Sequence, residues 1–473
     1  MDLASGTVEF RSSLRGQSFA VSEPGYDAAR IVFNRIIDRH PALIVRCAGA
    51  ADVIACVRFA NKRDLAVAVR GGGHSIAGKA ICDDGLVIDL SGMKGIRVDP
   101  VSRTVRAEPG LTIGEFDRET QAFGLATTMG VITTTGIAGL TLGGGMGWLI
   151  GKHGLACDNV ISMDVVTADG RLLTASNHEN EDLFWGMRGG GGNFGVVTSF
   201  EYRLHEVGPV LGGGVLHPIG NARDVLHFFR DFAAGNPDEL SMQIGRITTP
   251  DGIPVIGVAG CYCGPLAEGE KVLAPLRRFG APVADLFAPI SYVQMQSMFD
   301  PWFPPGRQAY WKANFLDSLP DDAIDVFCEY ATTVPSPFTT GPWLEHLHGA
   351  VSRVGPTDTA FPHRQHDYNF LVLSSWSDPS DAERNIQWTR ECWHAMRPFM
   401  AEGAYVNYLE EEADPIARSA YGPNYNRLAA LKNKYDPGNL FHINHNVRPI
   451  EAARSTAPMM RTANPSAKKE VML

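Results

Sequence analysis

No apolar run in the sequence reaches the roughly 18 residues needed to cross a bilayer. The opening MDLASGTVEFRSSLRG also lacks the basic start, apolar core and small-residue cleavage site of an export signal. The expectation is a cytoplasmic protein without a membrane partner. Positive charge is scarce as well, with 42 Lys and Arg against 52 Asp and Glu, and no basic block could track a phosphate backbone, so nucleic acid is not the expected partner. The eight cysteines (Cys47, Cys56, Cys82, Cys157, Cys261, Cys263, Cys328, Cys392) are scattered; that spacing excludes a small disulfide-stapled fold and predicts reduced thiols. The histidine pairs His346/His348, His363/His366 and His442/His445 lack a Cys or carboxylate at zinc-like spacing, so no metal is assigned. No repeat of about 20 to 50 residues is present, and the sequence carries no expectation of an oligomeric state.

Glycine is what the sequence has in excess. Its 50 glycines among 473 residues concentrate in three clusters: RGGGHSIAGKA (70–80), GVITTTGIAGLTLGGGMGWLIGKHG (130–154) and RGGGGNFG (188–195). Around them, from about residue 40 to 208, short strand-like runs alternate with amphipathic helices. ADVIACVRFANKRDL puts Val53, Ile54, Val57 and Ala60 on one helical face, and IGEFDRETQAFG does the same with Ile113, Phe116, Thr120 and Phe123. IRVDPVSRTVRAEPG and NVISMDVVTADGRLLTAS read as hairpins turning at Asp99-Pro100 and Asp169-Gly170. This predicts an α+β domain built on hairpins, not a run of βαβ crossovers. From about 209 to 400, LSMQIGRIT, VIGVAGCY, YWKANFL, LHGAVSRV and YNFLVLSSW read as strands. EGEKVLAPLRRF, DDAIDVFCEYA and DAERNIQWTRECWHAMRPF read as helices, which predicts a mostly antiparallel sheet with helices on one face.

Two familiar phosphate motifs fail on inspection. Gly73 to Lys79 spells GxxxxGK, but Ala80 stands where Ser or Thr would ligate magnesium, and the chain runs on into a strand instead of a helix. Gly190, Gly192 and Gly195 form a literal GxGxxG, yet the loop follows a helix and precedes a strand, the reverse of the dinucleotide fingerprint. What remains is a cost to explain, since each interior glycine forfeits about 0.5–1 kcal/mol of backbone entropy. Either these are tight hairpins, or something approaches the backbone closely; a pyrophosphate held by successive N–H groups fits the second case.

The three clusters, followed by YGPNYNRLAALKNKYDPGNLFHINHNVRP, resemble in that order the FAD-linked oxidases of the berberine bridge enzyme type, within the vanillyl-alcohol-oxidase fold group. The resemblance runs from about residue 35 to 449. It implies a two-lobed FAD-binding domain of PCMH type over 1–208, a substrate-binding domain over 209–401, a segment over 402–449 that returns to the FAD domain, and a tail over 450–473. It implies that the RGGGH loop, with Arg70, Gly71, Gly72 and Gly73, cradles the pyrophosphate, that Ser75 and Gly78 also bind the cofactor, and that His74 is bonded to the 8α-methyl carbon of the flavin. Gly130, Thr134, Thr135, Gly136, Gly139, Gly143, Gly195 and Val197 are expected to line the cofactor. So are Tyr405, Asn407, Asn444 and Asn446, with His445 where family members more usually carry Gln. Many members carry a second link through a cysteine; Ile132 stands at that position and Cys157 lies too far along, so a singly linked flavin is expected. Thr135 falls where family members control access of dioxygen.

Such an enzyme needs a base beside the reacting C–H bond. Tyr408 resembles the family's substrate-side tyrosine, but a phenol with a pKa of about 10 needs help to act as base. Glu345 is the alternative: in a strand through PWLEHLHGAV it shares a face with Trp343 and Leu347, with His346 and His348 opposite. Tyr310, Trp311 and Lys312 resemble a strand that lines family pockets, so Tyr310, Lys312 and Trp343 are expected at the substrate. The implied function is oxidation of a hydroxyl- or amine-bearing organic molecule, such as a sugar, an aromatic alcohol or a secondary metabolite, with dioxygen reduced to hydrogen peroxide. A dehydrogenase using another acceptor and a non-catalytic binding protein are the alternatives.

Overall fold

A computed structural model describes residues 6–410 and 414–450 of the chain; most of the predicted tail lies outside the described residues. The fold is α+β. In the first sheet, strands Gln17–Ala20, Leu43–Arg46, Leu86–Asp89 and Val67–Arg70 lie side by side in that order. The first pair is antiparallel and the other two are parallel. Helix Ala50–Arg63 connects Leu43–Arg46 to Val67–Arg70 and buries Val53, Cys56, Val57 and Ala60, with Ile54 at the margin of the same core. This corrects the hairpin-only expectation. The strands LIVR, VAVR and LVID are apolar on both faces because they are covered on both, the mark of parallel pairing.

Five antiparallel strands form the second sheet, in the order Ile96–Asp99, Thr104–Ala107, Val196–Arg203, Val160–Val166, Leu172–Ser176. Both predicted hairpins lie in it. Helix Ile113–Gln121 is opened by a capping box in which Thr112 Oγ1 accepts from Glu115 N and Glu115 Oε2 accepts from Thr112 N (2.9 Å). Ile113, Phe116 and Thr120 are buried, but Phe123 lies beyond the helix end and is half exposed, off the expected face.

The third sheet has eight strands, all paired antiparallel. Helices Ala222–Ala233, Leu266–Arg278, Asp321–Thr332 and Ala382–Met396 share one core with one of its faces. The opposite face shares a core with Trp148 and Ile132 from the glycine-rich part of the chain. One expected strand is absent: the strand is Gly341–His346, and LHGAVSRV instead turns at Gly349 (φ +68°) into helix Ala350–Arg353.

The last segment is fastened to the third glycine cluster by a buried lysine. Lys432, on helix Tyr425–Tyr435, donates to Asn193 O (2.8 Å), Asp436 Oδ2 (2.7 Å) and Phe441 O (2.9 Å), so all three ammonium protons are used. Asp436 also accepts from Leu440 N and Phe441 N, and Asn193 Oδ1 accepts from Val447 N (2.9 Å). These bonds shape the stretch from DPG to HINHN.

Candidate active site

One long cavity runs between the glycine clusters and the face of the large sheet opposite those four helices. Its first end is walled by backbone. Gly71, Gly72, Gly73 and Ser75, then Gly130, Thr135, Gly136 and Gly139, then Gly191, Gly192, Gly195 and Val197 line it, together with Asn407, Asn444 and His445. The loops touch closely enough that a Cβ on Gly72 or Gly136 would run into the backbone of the other. Gly139 and Gly192 are bare for a different reason: a Cβ there would meet nothing within 4 Å and would project into the cavity. His74 lines this end, stacked on Phe33 at 3.7 Å with Nε2 3.2 Å from Thr134 Oγ1. Burial pulls its pKa down to about 4, so the imidazole is neutral at physiological pH.

Five residues expected around the cofactor stand behind this wall instead of in it. Arg70 is turned away: its guanidinium donates to Asp89 Oδ2 (2.5 Å) and Ala29 O (2.5 Å), holding the start of the loop. Gly78 (φ +69°) packs against Ile37, and Gly143 is bare because the Asn407 side chain fills the place of its Cβ. Thr134 reaches the cavity only through His74. Asn446 also lies off the wall, with its buried Oδ1 unpaired. Tyr405 lines the cavity, and its hydroxyl is taken up by Gly145 N (2.9 Å) and Asn407 Nδ2 (2.8 Å). Cys157 is fully buried and off the cavity, its thiol toward Asp158, whereas Ile132 lines it.

The second end is made of side chains. Cross-strand pairing puts Gln243, Glu345 and Asn369 in one row of the sheet and Gly245, Trp343 and Leu371 in the next; directly opposed residues share a face. Glu345 is only 6% exposed. Its Oε1 accepts from Tyr408 Oη (3.1 Å) and its Oε2 from Asn369 Nδ2 (2.6 Å). Burial raises its pKa to about 7, partly offset by those two donors. The same burial, and the carboxylate beside it, push the Tyr408 phenol well above its ordinary value. The carboxyl, not the phenol, is therefore the group poised to exchange a proton near neutrality.

Strand Gln308–Leu316 has the opposite parity to the one expected. Trp311 lines the cavity, whereas Tyr310 and Lys312 face the helices: Tyr310 Oη accepts from Arg390 Nε (3.1 Å) and the Lys312 ammonium lies over the Trp393 ring. Sequence reasoning also missed Gln243, Asn369, Phe299, Trp302 and Phe303. Strand pairing brings in the first two, and the last three arrive on a segment pinned to the second glycine cluster by Asp300, which accepts from Thr133 N (2.9 Å) and Thr133 Oγ1. No local pattern marks any of them.

The residues present fit a flavin dinucleotide. The first end offers open backbone that a side chain would fill and the buried, unpaired Oδ1 of Asn444; the second places an ionisable carboxyl where a substrate would meet the ring. Such a site defines a flavin-dependent redox enzyme. The FAD binding domain model matches residues 41–176, and the berberine and berberine-like model matches residues 404–448. An FAD-linked oxidoreductase of Dictyostelium discoideum is 33% identical over 448 residues, covering 94% of this chain and 97% of the relative. A chitooligosaccharide oxidase of Gibberella zeae is 29% identical, covering 88% and 89%. The crystal structure of 6-hydroxy-D-nicotine oxidase from Arthrobacter nicotinovorans superposes with a TM-score of 0.84 at 29% identity, covering 93% of this chain and 99% of that one. The chain belongs to the FAD-linked oxidoreductases with a berberine-like C-terminal segment, and it is an FAD-dependent enzyme. Among the described residues no helix is long and apolar enough to cross a membrane.

Proposed function

We propose that the protein is an FAD-dependent oxidase of a small hydroxyl- or amine-bearing organic molecule, with Glu345 as base, Tyr408 as its partner and His74 as the flavin's single covalent anchor. The observation that carries the reading is the buried Glu345–Tyr408 pair at one end of a cavity whose other end is bare backbone beside His74. A bound flavin would supply the hydride acceptor for the substrate carbon and the route for its electrons to dioxygen. Glu345 takes the proton of the substrate hydroxyl or amine; its pKa of about 7 keeps a useful fraction ionised at neutral pH. Tyr408 remains protonated and donates to the carboxylate, which fixes its orientation. His74 supplies a neutral ring nitrogen, and among the described residues no cysteine lines the cavity.

The same reading divides the chain into an FAD-binding domain over 1–208, a substrate domain over 209–401 and a returning segment over 402–449, because each sheet falls within one of these parts. It places the protein in the cytoplasm, without membrane or nucleic-acid partners. The test is acid precipitation of the yellow protein followed by mass spectrometry of its peptides. Flavin is expected in the pellet with one adduct, on the His74 peptide, and His74→Ala is expected to release it. An unmodified His74 peptide, or an adduct on a cysteine, overturns the assignment. Hydrogen peroxide release in air tests the acceptor.

A further inference from the structure

The two oxidases named above are called after a chitooligosaccharide and 6-hydroxy-D-nicotine, a polyhydroxylated sugar and a molecule with a heteroaromatic ring, and the substrate end of this cavity distinguishes between such classes. Along the sheet, the row holding Gln243 and Glu345 is polar. The next rows, each about 7 Å further along the strands, present Trp343 and Leu371, then Leu373 and Trp311. Phe299 and Phe303 close over them from the segment that Asp300 fastens. Tryptophan stacks on sugar rings as readily as on aromatic ones, so the rings alone decide nothing.

The polar inventory decides it. Both oxygens of Glu345 are engaged by Tyr408 and Asn369, and Gln243 Oε1 accepts from Trp343 Nε1 (2.8 Å). Beyond that pair, the polar side-chain groups in the wall are the Gln243 amide nitrogen and Thr340, a residue 6% exposed whose hydroxyl oxygen is buried and unpaired. Among the described residues no Lys, Arg or Asp side chain lines this end of the cavity itself; Arg307 and Ser375 line a small adjoining cavity that shares Trp311, Leu373 and Thr340 with it. A disaccharide carries roughly eight hydroxyls, and each one buried without a partner costs about 1–3 kcal/mol. A handful of unmatched hydroxyls would cancel the gain from stacking.

Resting on the flavin oxidase reading above, we infer that the substrate is an aromatic or polycyclic alcohol or amine, not a carbohydrate. Its reacting C–OH or C–N group lies at Glu345 and its apolar body runs along Trp343, Leu371, Leu373 and Trp311. At most one further polar substituent is met, by Thr340.

The experiment titrates the purified holoprotein, without oxygen, with 2-naphthalenemethanol, 6-hydroxy-2-naphthalenemethanol, cellobiose and chitobiose, following flavin absorbance and tryptophan fluorescence. The naphthyl probes are expected to half-saturate at concentrations at least tenfold below either sugar. Trp311→Ala is expected to weaken both naphthyl probes about tenfold with the flavin spectrum unchanged. The near-isosteric Thr340→Val, which leaves the wall packed, is expected to weaken only the hydroxylated one. Tighter or equal binding of a sugar overturns the inference, and so does the failure of every probe to bind. A colourless protein counts instead against the flavin reading, while tryptophan quenching still reports the preference between probes.

Discussion

The two ends of the cavity use opposite materials. At the cofactor end, selectivity comes from missing side chains: Gly139 and Gly192 leave open space, and Gly72 and Gly136 let two loops touch. At the substrate end it comes from side chains delivered by different strands, with Gln243, Glu345 and Asn369 brought into one row from three separate parts of the chain. A bare-backbone site is written in consecutive residues and can receive one shared ligand in many relatives. A side-chain site is written across the sheet, and each position can change without disturbing the loops. Conserving a cofactor while varying a substrate is what that division permits.

The sharpest way to break the comparison is to disable one end and leave the other intact. Glu345→Gln keeps the shape and the Tyr408 bond but removes the base, and kcat is expected to fall about 10²–10⁴-fold with flavin content unchanged. In the parent protein the rate should rise with pH through about 7 as the carboxyl ionises. Stability should move the other way. A carboxyl with a folded pKa of about 7 instead of 4.5 binds a proton across that window in the native state but not in the unfolded one. Stability is therefore greatest below about pH 4.5 for this group and falls as pH rises through 7, by about 3 kcal/mol in all. Denaturant melts at pH 5 and pH 8 should show that loss in the parent and not in Glu345→Gln. Loss of flavin from the variant would show that the two ends are not separable.

How much of each end is legible in the sequence follows the same division. The glycine clusters are local, so their residues can be picked out by run and spacing, and Gly71 to Ser75, Thr135, Gly136 and Asn444 line the cavity. The exceptions within those clusters, Arg70, Gly78 and Gly143, are residues whose loop partners Asp89, Ile37 and Asn407 are distant in the chain. At the other end parity was the obstacle. In QAYWKANFL both faces carry aromatics because one faces helices and the other the cavity, so alternation cannot say that Trp311 is inside and Tyr310 and Lys312 are outside. Glu345 was legible as a buried carboxyl in an aromatic strand. Its Asn369 partner was not, because register is set by pairing and not by either strand alone. The parallel pairing of Leu86–Asp89 was hidden for the same reason.

Glycines at the two ends sharpen the contrast. Gly192→Val adds a side chain where the wall is open, so it should leave the cofactor-free protein within about 0.5 kcal/mol of the parent. In a His74→Ala background, where no covalent bond holds the flavin, its affinity is expected to drop about tenfold or more, since 1.4 kcal/mol of lost fit suffices for that. Gly245→Ala should do the reverse. Its Cβ would enter the Trp343 indole, and overpacking of this kind costs about 1–3 kcal/mol. Thermal stability and substrate affinity should fall while flavin is retained. If both variants lose flavin equally, the two ends form one cooperative unit.

The smallest expected effect separates the roles within the substrate end. Tyr408 Oη donates to Glu345 Oε1, and that bond favours the ionised carboxyl against the dominant push of burial. Tyr408→Phe removes the donor and keeps the ring packed edge-on against Trp311 (5.9 Å, 79°) and Tyr405 (4.8 Å, 79°). If Tyr408 only orients and tunes the base, the pH limb of the rate should move upward while the plateau at high pH falls by about tenfold or less, the worth of one hydrogen bond. If the phenol were itself the base, the limb near 7 would vanish and the plateau would collapse as far as in Glu345→Gln. A pH profile of kcat for the two single variants and the double variant distinguishes these outcomes, and the double variant should then be no worse than Glu345→Gln alone, because a tuning donor has nothing left to tune.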